Sequence, residues 1–353
     1  MDIIEIINQF FPDKLVLNVE TFGNGHINST YKVSMSGEKK EYILQKINAF
    51  VFKSPTEIVQ NHLSLAKLFM ANDELQLPHL VPTKNNKYLL IDDEQEVWRM
   101  LNFIENSYSI EVVETDEQAY EAGRGFGWFA KKSSLLDPSE FTEAIPDFHR
   151  LSYRLKQLKD AMDANEAGRF ESVKDLISFY LKIATGLLEI EKLIDEEFIL
   201  TRVVHNDTKI NNLLFRDEKV IAVIDLDTVG PGTVLYDYGD SIRTISNTAS
   251  EDEQDLSIVH FSLSAFRAYT SGYLGQMKSI LNEQEIQHLH LAPVLMTFIM
   301  GIRFLTDYLN GDQYYKTNYN EHNLSRSKVQ KKLIEEMNLY EQEMKQAIED
   351  TRL

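Results

Sequence analysis

The sequence predicts an α+β fold of two unequal lobes. Three observations carry this. Short apolar runs closed by turn residues crowd residues 20–103. From residue 116 onward the apolar spacing is mostly helical. Between the helices, residues 203–227 (VVHNDTKINNLLFRDEKVIAVIDLD) hold apolar runs too short for a stable helix, with polar groups at their ends.

Taken in order, residues 1–18 put Ile3, Ile4, Ile6, Ile7 and Phe10 on one side of a short helix that Pro12 ends. Residues 20–33 read as strand, Gly-rich turn, strand. Gly23 and Gly25 there allow a tight turn and close backbone approach to a ligand. Residues 41–47 form a third strand, 55–70 a helix, and 88–91 and 96–103 two further strands around an acidic turn. The chain is expected to leave the small lobe near 104–108, giving an N-terminal lobe of residues 1–104 and a C-terminal lobe of 105–353. Helices are expected over 116–132, 141–163, 173–193, 235–245, 251–273, 282–309 and 323–351. Gly123, Gly125 and Gly127 follow no strand and lie among Ala122, Phe126, Phe129 and Ala130 at helical spacing. They are read as glycines for close helix packing. Asp240 with Arg243 reads as a structural ion pair, and Asp237 shares that helix face. His288 and His290, two apart on a helix, point away from each other and do not make a metal pair.

Composition narrows the class. At 353 residues and 43% hydrophobic content, about two domains with a sizeable core are expected. A net charge of −19 argues against nucleic acid or an anionic membrane as partner. Cysteine is absent, which removes disulfide and thiolate chemistry. No apolar run approaches the roughly 20 residues of a bilayer span, and the acidic start lacks a signal-peptide layout. The expectation is a soluble cytoplasmic protein, a monomer or homodimer.

The central stretch carries the chemistry. Asp207 can orient a hydroxyl or accept its proton. Asn212 offers an amide oxygen and Asp225 a carboxylate, with Asp227 a further carboxylate beside it. Such oxygens suit Mg²⁺ when it also binds substrate phosphates. Lys209 can neutralise charge on a phosphoryl group in transfer.

His205-Asn206-Asp207-Thr208-Lys209-Ile210-Asn211-Asn212, followed by Ile224-Asp225-Leu226-Asp227, resembles the catalytic loop and metal strand of the aminoglycoside phosphotransferase and choline kinase superfamily. Its wording is most similar to bacterial N-acetylhexosamine 1-kinases, and matching segments run over residues 22–326. The resemblance implies a protein-kinase-like fold with a small antiparallel-sheet lobe and a larger, mostly helical one. It implies ATP and Mg²⁺ as cofactors, and a small-molecule sugar as acceptor at its anomeric hydroxyl. Under it, Asp207 and Lys209 are catalytic and touch the substrate. Asn212, Asp225 and Asp227 hold metal. The nucleotide meets Gly23, Asn24, Gly25, Asn28 and Thr30 of the hairpin, Gln45 of the third strand, and Met100 and Asn102 near the lobe crossing. His26, Arg303 and Tyr314 join the sugar site. The register puts Gln45, not Lys46, where such folds carry a phosphate-pairing lysine.

Two other classes fit parts of the sequence. The Asp225-x-Asp227 run also fits a haloacid-dehalogenase-like phosphatase, but that fold needs it on the first strand and leaves residues 205–212 idle. A pseudokinase-like binder would explain the missing strand lysine but not the intact Asp207, Asn212 and Asp225. Among kinases, an aminoglycoside, choline or a homoserine-like alcohol are the alternative acceptors. An arginine at 303 disfavours a cationic one.

Overall fold

A computed structural model describes residues 1–23, 27–69 and 74–352 of the chain. The small lobe begins with helix α1 (Ile3–Phe10), closed at its start by a reciprocal Asp2–Glu5 capping box. Strands β1 (Val16–Thr21), β2 (Ser29–Met35) and β3 (Tyr42–Ile47) follow, then helix α2 (Pro55–Leu68). The short strands β4 (Leu80–Val81) and β5 (Leu90–Ile91) precede β6 (Val97–Asn102). The sheet is antiparallel in the order β1-β2-β3-β6-β4, with β5 also on β6. Ile6, Ile7 and Phe10 of α1 pack on Val33, Leu44, Trp98 and Met100 of the sheet. In this register Gln45 lies opposite both Thr30 and Arg99. Its neighbour Lys46 pairs with Glu96 at 3.3 Å.

The large lobe is helical around a few short strands. It comprises α3 (Asp116–Ser133), α4 (Leu151–Ala164), α5 (Lys174–Asp195), β7 (Arg202–Val204), β8 (Leu213–Arg216), β9 (Lys219–Val223), β10 (Gly230–Gly232), α6 (Val234–Ile245), α7 (Leu263–Met277), α8 (Glu283–His288), α9 (Ala292–Leu309), α10 (His322–Leu339) and α11 (Glu341–Arg352). β8 pairs with β9, and β7 with β10, both antiparallel. This is the two-lobed α+β architecture expected.

Several boundaries differ for identifiable reasons. The helix expected over 141–163 starts only at Leu151. Pro146 disfavours helix before it, and Asp147 takes a left-handed φ of 55°. The helix expected over 251–273 starts at Leu263, where Ser262 caps it by accepting from Ala265. The 282–309 helix is split by a tight turn over Leu289–Leu291, and the last helix breaks at Tyr340. The sequence reading also found no bilayer-length apolar run. The 283–309 stretch is in fact long and apolar enough by composition, but 72% of its apolar window is buried inside the protein. Phe298, Ile299 and Ile302 sit there in the large core.

The lobes interlock. Gln76 pairs with β9 through Gln76 N–H to Ile221 O (2.8 Å) and Val223 N–H to Gln76 O (3.1 Å). Leu65, Phe69, Leu75 and Leu77, all before the crossing, belong to the large core. After the crossing, Tyr108 exchanges both backbone bonds with Phe215 of β8.

Gly123 and Gly127 of α3 face α7 as expected, while Gly125 faces Val220 of β9 instead of a helix. A Cβ at Gly123 would collide with the carbonyl oxygen of Tyr269, and one at Gly272 with that of Tyr120, so α3 and α7 touch backbone to backbone. Replacing Gly123 by Ala should therefore destabilise the protein by about 1–3 kcal/mol through overpacking. Gly275→Ala, on the same α7 but with nothing within 4 Å, should be neutral or slightly stabilising. Urea unfolding of both variants checks this, and equal midpoints would contradict it.

Candidate active site

The loop between β7 and β8 is clamped by α6. The buried carboxylate of Asp237 accepts from the backbone N–H of His205 (2.8 Å) and of Asn206 (2.7 Å). The Thr208 hydroxyl donates to Asp237 O, and Ser241 Oγ donates to Thr208 O at 3.0 Å. These bonds hold Asn206 at a φ of 62°, in the left-handed region that an Asn tolerates better than most residues. The His205 ring lies edge-on against Phe126 and Phe129 and shares a 2.9 Å hydrogen bond with Ile224 O. A carbonyl only accepts, so Nε2 carries the proton. The loop is thereby tied to the end of β9.

Asp207 then stands at the loop's free side. Its Oδ2 lies 3.3 Å from Lys209 Nζ and accepts from Asn212 Nδ2 at 3.1 Å. The same nitrogen donates to Asp207 O at 2.8 Å. The carboxylate of Asp207, before any other influence, holds Lys209 protonated well above its ordinary range.

Asp225 follows β9 with a left-handed φ of 57°. Its carboxylate opens to the cleft and makes no hydrogen bond or ion pair among the described residues. Crowding by protein raises its pKa first, then Asp227 and Asp207, to about 7, so this corner holds negative charge that nothing neutralises fully. Asn212 spends its nitrogen on Asp207, which leaves its side-chain oxygen uncommitted. Two free oxygens beside surplus negative charge fit a hard divalent cation. Among the described residues no group of three or more His, Asp or Glu side chains is placed to hold a metal ion by itself. Such an ion would therefore draw its other ligands from water and phosphate.

The remaining expected residues divide clearly. Asp227, read as a third metal oxygen, is 2% exposed and engaged on both oxygens, by Arg99 at 2.5 Å and by Asn28 at 2.7 Å. Gln45 and Thr30 join that same cluster. Gly23 has a φ of 76° with open space around it, while Asn24, Gly25 and His26 lie outside the described residues. Met100 does not reach the cleft; its side chain is buried in the small-lobe core. Asn102 turns its side chain to His79 N–H and to Phe103 O.

Arg303 lies over the Phe148 ring at 4.7 Å and near the Tyr315 ring at 5.6 Å, with no carboxylate partner among the described residues. Tyr314 is exposed at the surface beside Tyr315. Asp307 builds this turn by accepting from the N–H groups of Gln313, Tyr314 and Tyr315.

Sequence reasoning missed three members. Arg154 is 9% exposed and donates to Phe148 O and Gln157; burial first, then Arg303, pulls it down to about 10. Tyr315 keeps a buried hydroxyl with no hydrogen-bond partner among the described residues. Arg99 was legible only as a charge inside an otherwise apolar strand. On the other side of the catalytic loop, a cavity of about 340 Å³ is lined by Glu143, Asp147, Glu191, Asp195 and Glu197, with Arg150 among them.

A two-lobed fold with this loop, an Asp–Lys–Asn cluster and an oxygen pair facing it defines a small-molecule phosphotransferase. Residues 18–272 match the model of the APH phosphotransferase enzyme family, and the chain belongs to that family. It is similar in fold to a microcompartment-associated aminopropanol kinase, at TM-score 0.60 and 16% identity, over 97% of this chain and 98% of that one. The ADP-bound aminoglycoside phosphotransferase APH(2'')-Ib gives 0.58 and 13%, over 96% and 99%. Choline kinase from Cryptosporidium parvum gives 0.55 and 16%, over 95% and 91%.

Asp225 sets a pH dependence. Its folded pKa of about 7 lies above the ordinary 3.8, so the folded state keeps a proton that the unfolded chain has released. Stability without divalent cations should therefore fall as pH rises from about 4 to about 7, and level off above. Asp237, raised to about 6 chiefly by burial, adds a fall of the same sign that ends earlier. Melting curves in chelator at pH 5 and pH 8 should show a smaller loss for Asp225→Asn than for the unaltered protein. The same loss in both would contradict this reading of Asp225.

Proposed function

We propose that the protein is an ATP- and Mg²⁺-dependent kinase that phosphorylates the anomeric hydroxyl of an N-acetylhexosamine, N-acetylglucosamine or N-acetylgalactosamine, to a sugar 1-phosphate. The observation that carries the acceptor class is the aromatic and arginine wall of Phe148, Arg154, Arg303, Tyr314 and Tyr315. Two guanidinium groups without a carboxylate between them repel a cationic acceptor. They offer donors to hydroxyl and carbonyl oxygens, and the rings offer flat apolar faces to a sugar. The motif resemblance at residues 205–212 and 303–314 supports the same acceptor, and a cytoplasmic setting suits an ATP consumer.

Within this reading Asp207 orients the acceptor hydroxyl and takes its proton as the bond to phosphorus forms. Lys209, kept charged by Asp207, offsets negative charge on the group in transfer. Asn212 and Asp225 would hold Mg²⁺, whose charge screens the nucleotide phosphates when it is bound. His205 and Asp237 keep the loop in place and touch no reactant.

The acidic cavity supports a second reading, an amine-bearing acceptor such as an aminoglycoside or amino alcohol. Arg150 weakens it, because its guanidinium engages both oxygens of Asp195 at 3.1 and 2.9 Å.

A coupled ADP-release screen over N-acetylhexosamines, plain hexoses, choline, amino alcohols and aminoglycosides separates the two. Turnover is expected with N-acetylhexosamines. Asp207→Asn should lower kcat by about 10²–10⁴-fold. Arg303→Met should raise the acceptor KM about tenfold or more with the ATP KM little changed. Turnover confined to amines would replace the sugar reading, and a fully active Asp207→Asn protein would remove the mechanism.

A further inference from the structure

Among the buried charges that the kinase reading leaves unused, Arg99 lies beside the candidate metal site. Arg99 lies on β6, 2% exposed, directly opposite Gln45. Gln45 Oε1 accepts from Arg99 Nε at 2.9 Å and from Nη2 at 2.7 Å, while Gln45 Nε2 donates to the Thr30 hydroxyl at 3.2 Å. Arg99 Nη1 reaches Asp227 Oδ1 at 2.5 Å. Asn28 donates to the other Asp227 oxygen and accepts from Asn48 N–H at 3.0 Å. A polar chain thus runs from β2 and β3 through β6 to the loop that presents Asp225. It occupies both oxygens of Asp227, two residues beyond the uncommitted Asp225.

We propose that Arg99 is the small lobe's fixed positive charge at the nucleotide-phosphate end of the cleft, in place of a lysine on β3, and that Asp227 is its counter-ion and not a metal ligand. The proposal rests on the kinase reading of this site. A glutamine at position 45 brings no charge. Its oxygen instead grips two N–H groups of the guanidinium, which a lysine could not match. The pair is buried, so each member needs the other: removing one leaves an uncompensated charge, while removing both does not. Arg99 is a positioning residue. It acts by holding Gln45, and through it Thr30 of β2, in place against Asp227, so its effect falls on nucleotide binding and not on the aim of Asp225.

The test uses the full chain and four variants: Arg99→Met, Asp227→Asn, the two combined, and Arg99→Lys. Calorimetry with the non-hydrolysable analogue AMP-PNP, with and without Mg²⁺, is paired with thermal melts. Arg99→Met alone should lose stability, and the combined variant should recover most of it. The combined variant should still bind AMP-PNP about tenfold or more weakly, with the Mg²⁺ concentration for half-maximal tightening shifted by no more than about threefold. Arg99→Lys, which keeps the charge but loses the fork, should bind nucleotide between these limits. Nucleotide affinity in the combined variant equal to that of the unaltered protein would reduce the pair to fold stability alone and overturn the proposal. A Mg²⁺ requirement raised about tenfold or more in Asp227→Asn would make Asp227 a ligand and overturn it too. If the unaltered protein binds no AMP-PNP, the kinase reading itself fails; binding that ignores position 99 sinks only the role of Arg99.

Discussion

The grip of one buried carboxylate on two backbone N–H groups fixes the loop that carries Asp207, Lys209 and Asn212. Asp237 holds His205 and Asn206 from α6, and α6 in turn is pressed onto α9. Gly239 allows that approach; a Cβ there would meet the carbonyl oxygen of Ala292. The path from the apolar core to Asp207 is therefore short and stiff: α9, α6, Asp237, loop. Burying a carboxylate is costly, and burial pushes Asp237 up to about 6. The cost is tolerable because two otherwise orphaned N–H groups are satisfied at the same time. A neutral side chain could cap one of them, but a carboxylate bridges both.

This explains which parts were legible in the sequence. The residues from His205 to Asp225 form one local unit, a strand, a loop and a hairpin, so their spacing alone implies that they meet. Gly123 could be read for the same reason, since helical periodicity places it on one face with Ala122 and Phe126. The partners that lie far apart in the chain could not be read. Asn28 and Asp227 are 199 residues apart, and only the closed fold brings them together. Asp227 looked like a third metal oxygen because it follows Asp225 so closely. The short turn Leu226–Thr228 sends the two carboxylates to different surroundings, one to the cleft and one to Arg99. Arg154 lies within the stretch expected to be helical, where nothing local marks it, and α4 turns it inward against Phe148.

Charge distribution sharpens the same point. A chain with a net charge of −19 has carboxylates to spare for any cation that needs one. Arg243 is supplied by Asp240 and Glu251, and Arg202 by Glu285. Arg154 and Arg303 are left facing rings and carbonyl oxygen instead. Burial first, and then the neighbouring Arg303 charge, takes part of the basicity from Arg154. Aromatic faces soften the cost without cancelling the charge, so the pair still draws electron-rich groups. Tyr315 keeps a free hydroxyl at the same spot, and Asp307 fixes the turn that carries it.

The small lobe shows why a buried ion pair can matter more than its own energy. Its core is modest, α1 on the sheet with a second small cluster at Ile47, Phe52, Ile58 and Val97, and Leu65, Phe69, Leu75 and Leu77 are spent on the large lobe. Hydrophobic contact is non-directional and tolerates sliding. An arginine gripped by Gln45 and paired to Asp227 does not, because its N–H groups point in fixed directions. The hairpin side, through Asn28, reaches the same carboxylate. Roof and floor of the cleft therefore meet at a single group. Any shift of the hairpin must either carry the turn at Asp227 with it or break the Asn28–Asp227 hydrogen bond, which leaves a buried carboxylate oxygen unsatisfied.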